Sequence, residues 1–183
     1  MARFPELDPA DMNEDQKRVA EAIAGGPRGS VRGPFHALLY APAVADLVQA
    51  LGAHVRFDIS VPWPLREIAI LVTAKHWNAQ YEWYAHEKEA QKAGTDQAII
   101  DAIREGRRPD FSADQDAEAE IYEFATELYE NKSISDATFG KIIGRYGRQG
   151  AIELVALMGH YNVIAMTLNT ADVQVPDGSK PLG

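Results

Sequence analysis

From Leu65 to Ala93 the chain contains neither proline nor glycine, and the stretch is bracketed by Pro64 and Gly94. Proline fits the first turn of a helix and glycine fits the position just past its end. The segment therefore predicts either one long helix or two helices with a bend near Trp77-Asn78. The same punctuation recurs along the chain, whereas the period-two alternation of strands is scarce. The expected fold class is all-α.

The other segments follow this pattern. Residues Asn13 to Ala24 put Val19, Ala20 and Ile23 on one side before Gly25-Gly26. Pro34 opens a short helix through Tyr40, and Pro42 opens another that includes Leu47, Leu51 and His54. Asp58 to Pro64 reads as a loop. Thr95 is the expected N-cap of a helix with Ile99, Ile100 and Ile103 as its stripe, closed by Gly106. Ser112 is expected to start an acidic helix in which Ile121, Phe124, Ala125 and Leu128 keep a buried spacing, so its carboxylates read as a solvated face. Ser135-Asp136 begin a helix that Gly147 ends. The last helix, Ala151 to Leu168, is apolar nearly all round and belongs at the centre of the core or in a subunit interface. One domain over 1–183 is expected, with residues 1–30 as an N-terminal extension and 170–183 as an irregular tail.

Charge narrows the function classes. With 27 acidic and 18 basic residues, the net charge is -9. That balance argues against nucleic acid and against an anionic membrane surface, both of which need clustered cations. It leaves room for a small anionic ligand held by one or two arginines. There is no cysteine, so thiolate nucleophiles and cysteine-ligated metals are excluded. Met1 to Asp11 lacks the apolar core of a signal peptide, and no run of about 20 apolar residues suggests a membrane span. A cytoplasmic location is expected.

Trp77 to His86 is the densest polar and aromatic segment. Glu82 and His86, four apart, share a helix face. Glu67 lies 19 residues before His86; on an unbroken helix that is roughly a quarter-turn away, and a bend near Asn78 would bring it closer. A carboxylate beside an imidazole fixes the tautomer and raises ring basicity. A second carboxylate in a dry site has its pKa raised. Such a trio can exchange a proton with carbon near neutral pH. The same spacing also describes an ordinary surface pair, and Trp77, Tyr81, Trp83 and Tyr84 can equally be core aromatics. His76, His86 and His160 with Glu67 and Glu82 are the available metal ligands, but nothing matches a tight zinc signature. His160, next to Gly159 on the apolar last helix, reads either as a core histidine or as a place of close ligand approach.

Arg66-Glu67-Ile-Ala-Ile-Leu-Val-x-Ala, Trp77 to His86 and Ala93-Gly94 together resemble the carboxymuconolactone decarboxylase and AhpD-like family. So do Gly33-Pro34-Phe35, Leu51-Gly52-x-x-Val55-Arg56-Phe57 and Gly159-His160-Tyr161-Asn162. The resemblance runs from about Gly33 to Asn169. It implies an AhpD-like helical bundle that forms homo-oligomers, commonly trimers or hexamers. Redox members carry a glutamate, a C-x-x-C pair and a histidine. Here Glu67 and His86 match, while Ala79 and Glu82 stand at the cysteine positions, so the resemblance points to the branch without peroxidase chemistry.

By the same resemblance, the expected reaction is decarboxylation of a carboxylated lactone such as 4-carboxymuconolactone. The substrate is its own electron sink, so no cofactor is implied. His86 would protonate the dienolate, Glu67 or Glu82 would orient and charge it, and Arg56 or Arg66 would hold a substrate carboxylate. Trp77, His160 and Tyr161 complete the expected substrate-binding set. A related hydrolase or isomerase acting on another small carbonyl compound, and a non-catalytic ligand-binding protein, stand as alternatives.

Overall fold

The computed structural model describes residues 3–183; the first two residues of the N-terminal segment lie outside the description. The described residues form eight helices and no strand: α1 (Glu14–Gly25), α2 (Pro34–Leu38), α3 (Pro42–Phe57), α4 (Trp63–His76), α5 (Gln80–Ala93), α6 (Gln97–Glu105), α7 (Asp116–Asn131) and α8 (Asp136–Ala171). The protein is all-α, as expected.

Residues 65–93 form two helices. Asn78 takes a left-handed conformation (φ 48°) between them, and asparagine tolerates that region better than most residues. The chain turns back there, so α4 and α5 pack side by side as a helical hairpin. α4 starts at Trp63, with Pro64 in its first turn.

Most of the caps follow local chemistry. The Asn13 side chain accepts the Gln16 amide while Gln16 answers the Asn13 amide, a reciprocal capping box. Two caps differ from expectation. Asp96, not Thr95, caps α6 by accepting from the Ala98 amide. The Thr95 amide instead donates to Ala90 O and so belongs to the end of α5, while its hydroxyl turns to the Pro64 carbonyl. Helix α7 begins at Asp116 rather than Ser112. The Ser112 hydroxyl donates to Asp114, and its amide donates to the Gln115 side chain, which closes a turn instead of starting a helix.

The two expected C-terminal helices meet within α8 across a kink at Gly147, where the first was expected to end. That residue (φ 66°, ψ -175°) lies outside helical space, yet helix continues on both sides. Only glycine takes this conformation at little cost.

The helix buried all round within the single chain is α4. Every residue from Glu67 to Ala74 is buried, because α5, α6, α7 and α8 all pack against α4. Beyond the bend, α8 is two-sided. Leu154, Leu157, Met158, Tyr161, Ile164 and Leu168 face the core, while Ile152, Val155, Val163 and Met166 are exposed. By length and composition alone α8 could also cross a membrane, although half of its most apolar stretch is buried against the other helices. A buried core helix passes the same test. The segment 3–30 is no loose appendage, since Val19 and Ile23 of α1 are fully buried in the common core. Helix α8 runs to Ala171 before the irregular tail begins.

Candidate active site

The hairpin of α4 and α5 brings Glu67 and His86 together. His86 Nδ1 lies 2.7 Å from Glu67 Oε2, and both side chains are buried. The second Glu67 oxygen accepts from the Trp63 indole N–H at 3.1 Å. The carboxylate is thereby fixed at both oxygens. With Glu67 ionised, its Oε2 accepts from Nδ1–H, which leaves Nε2 as the reactive ring nitrogen. The 19-residue interval is bridged across two helices and not along one, which is why the break at Asn78 matters to the site.

Glu82 sits one turn before His86 on α5, and it is 1% exposed. Neither carboxyl oxygen has a hydrogen-bond partner. Burial pushes this carboxyl well above the usual carboxylate range, because an enclosed site favours the protonated, uncharged form. Buried polar atoms left unpaired are uncommon and mark a place where the fold has not spent all its hydrogen bonds on itself.

Glu82 and His86 line one cavity of about 390 Å³. That is within the range of a small-molecule site. Its walls are supplied by Phe35, Tyr84, Tyr161, Ile164 and Leu168, with Pro176 of the tail and Ser30 and Arg32 of the α1–α2 connection at its edges. Tyr161 stands edge-on between two imidazoles, 4.8 Å from His86 and 5.1 Å from His160 between ring centres. Burial raises the Tyr161 phenol above its ordinary value, so it stays protonated. His160 is 2% exposed with neither ring nitrogen paired. Burial, then the nearby Arg28 charge, lowers its pKa to about 3, so it stays neutral. Gly52 of α3 makes this packing possible: a Cβ there would sit 2.4 Å from Arg28 Nη2 and 2.5 Å from His160 Cε1.

The expected site residues therefore divide. His86, Glu82, Arg56, His160 and Tyr161 all line the cavity, and Glu67 stands directly behind His86. Arg66 and Trp77 are not among the lining residues. Arg66 donates to the Arg56 carbonyl at 2.6 Å and thus ties α4 to the end of α3. Trp77 donates its indole N–H to Asn162, whose amide donates to the Tyr129 hydroxyl at 2.9 Å. This is a bracing network between α4, α7 and α8. His76 stacks on Tyr129 at 4.1 Å, away from His86. Among the described residues, no three His, Asp or Glu side chains converge as a metal site would require. Arg28, which the sequence reading did not single out, lines the cavity from the α1–α2 connection. It lies in Gly25-Gly26-Pro27-Arg28-Gly29, and a long cation set among residues that otherwise only turn the chain is the one signal that could have drawn attention to it.

Neither a protein-family model nor a curated protein sequence matches this chain.

Proposed function

We propose that this protein is a cofactor-free acid–base enzyme of the carboxymuconolactone decarboxylase type, with an AhpD-like bundle, acting on a small carboxylated lactone or a related enol-forming acid. The observation that carries the reading is the buried Glu67–His86 pair, set beside an unpaired Glu82, whose burial favours the protonated form, on the wall of a cavity. Each part has a role in such a reaction. The bond from the ring carbon to its carboxylate breaks, carbon dioxide leaves, and the electron pair spreads into the lactone carbonyl as a dienolate. Protonated His86 gives the Nε2 proton to carbon and is recharged from solvent. Glu67 holds the ring in place and stabilises its charged form. Neutral Glu82 offers a hydrogen bond to the developing enolate oxygen, where it is worth more than in water.

The test is turnover of 4-carboxymuconolactone by wild type and by His86→Ala. Loss of the acid is expected to lower kcat about 10²- to 10⁴-fold, and no turnover by wild type removes this substrate. The neutral acid at Glu82 also suits proton transfer on other carbonyl compounds, so an isomerase or hydrolase using the same trio is the second reading. Product analysis over a panel of lactones separates the two.

We also infer a homo-oligomer. The outward apolar residues of α8 and Leu47 and Leu51 of α3 are exposed in the single chain, and burying them against another copy would suit their chemistry. Light scattering at micromolar protein reads the outcome, and a strict monomer counts against it.

A further inference from the structure

The cavity carries a charge bias opposite to that of the protein. Five basic side chains line it, Arg28, Arg32, Arg56, Lys88 and Lys92, against two carboxyls, Glu82 and Glu89, in a chain of net charge -9. Burial disfavours the charged form of Glu82, whereas Lys92 and Arg56 favour it at Glu89. Most of these cations are already engaged. Arg56 lies 3.4 Å from Glu89, and Lys92 lies 2.8 Å from the same carboxylate. Lys88 sits 3.6 Å over the Tyr84 ring. Arg32 is exposed at the rim.

Arg28 differs from all of them. It is half-buried, its guanidinium lies 4.7 Å above the Phe35 ring, and it makes no ion pair with any described carboxylate. Its Nε and Nη2 are enclosed without a partner, and the side chain lines the cavity. Arginine does not relieve such burial by losing its proton. Enclosed guanidinium nitrogens without a partner are costly unless an anion arrives, and a guanidinium stacked on a ring is well preset to receive one. His160, neutral and unpaired beside it, can add a hydrogen bond but no competing charge.

We propose that Arg28, seated on Phe35 and flanked by His160 over Gly52, is the anchor for the carboxylate of a small, flat, ring-bearing anion. Arg56 differs in already facing the Glu89 carboxylate at 3.4 Å. Arg28, Tyr161 and His86 line the same cavity, so an anion held at Arg28 shares that space with the acid–base pair. This rests on the small-carboxylate reading of the cavity, but it concerns recognition and not turnover.

The probe is benzoate against its neutral counterpart benzamide, with binding read by calorimetry and protein NMR shifts at neutral pH. Wild type is expected to prefer benzoate. Arg28→Gln should weaken benzoate about 10- to 100-fold, the usual worth of a hydrogen bond to a charged group, and leave benzamide unchanged. Arg28→Lys should retain part of the preference, and Arg32→Gln at the rim should retain nearly all of it. Thermal melts of each variant establish that it is folded, and Arg28→Lys carries the comparison if Arg28→Gln is not. Equal wild-type affinity for the two probes, binding of neither, or an Arg28→Gln loss shared by both would overturn the proposal. The preference is read from binding alone, so an absence of lactone turnover by wild type leaves this result standing.

Discussion

Two regions of this molecule use charge in opposite ways. On the outer side of α7, Glu120 takes two hydrogen bonds from Arg145, at 2.6 and 3.1 Å, and Glu123 is shared by Arg108 and Lys141. These carboxylates are rich in partners, and the cations that meet them are 40% exposed or more. At the α4–α5 hairpin, three ionisable groups are almost sealed from solvent, and only Glu67 and His86 are paired. Abundance of ion pairs is thus a poor guide to importance. Exposed pairs trade water for a partner at little net gain. A sealed group has no water to fall back on, so each missing partner has a large cost or a use.

The largest effect that bears on this contrast is expected from Glu67→Ala. Removing one member of the buried pair strands His86 and Trp63, and should cost about 3 kcal/mol or more in urea unfolding. A cost below that of the surface variants would break the comparison.

The buried groups also predict opposite pH slopes. His160 has a folded pKa depressed to about 3 from 6.5. The stability it contributes is present above 6.5 and is lost as pH falls toward 3, by up to ~1.4 kcal/mol per pH unit. His160→Gln should therefore resist acid unfolding better than wild type. Glu82 has its folded pKa raised. Its contribution is present below 4.5 and is lost as pH rises from there through its folded pKa. Glu82→Gln should abolish that decline, and unchanged slopes in both variants would refute the assigned protonation states.

Packing supplies the next test. Gly52→Ala places a methyl group against Arg28 and the His160 ring. The arginine end can move, but the enclosed ring cannot, so a loss of about 1–3 kcal/mol is expected by thermal and urea unfolding. The smallest effect belongs to the exposed charges: Arg145→Ala should cost no more than about 1 kcal/mol, and less in high salt.

The helices were legible because proline, glycine and capping side chains act locally. Asn13, Pro34, Pro42, Gly94 and Gly106 all mark the boundaries that the chain adopts. Thr95 was expected to cap α6, but its amide closes α5 and its hydroxyl reaches the distant Pro64 carbonyl, a contact no local rule contains. How completely α4 would be enclosed was not legible for a similar reason. Composition reports how apolar a helix is, whereas exposure depends on how many neighbours surround it. Glu67, Glu82 and His86 could be named from spacing and resemblance, but Arg28 could not. Its importance comes from a shelf made by Phe35, a gap made by Gly52 and the lack of an acidic partner, all of which arise only when remote segments meet.

The indole of Trp63 is hydrogen-bonded to the same carboxylate that orients His86, while the indoles of Trp77 and Trp83 are tied to Asn162 and Glu87. The chain has these three tryptophans and no others, so each one watches a different neighbourhood. Ultraviolet emission can thus follow the proton-handling centre, the brace to α8 and the far side of α5 separately, once two of the three fluorophores are silenced by Trp→Phe replacement and no foreign dye is attached.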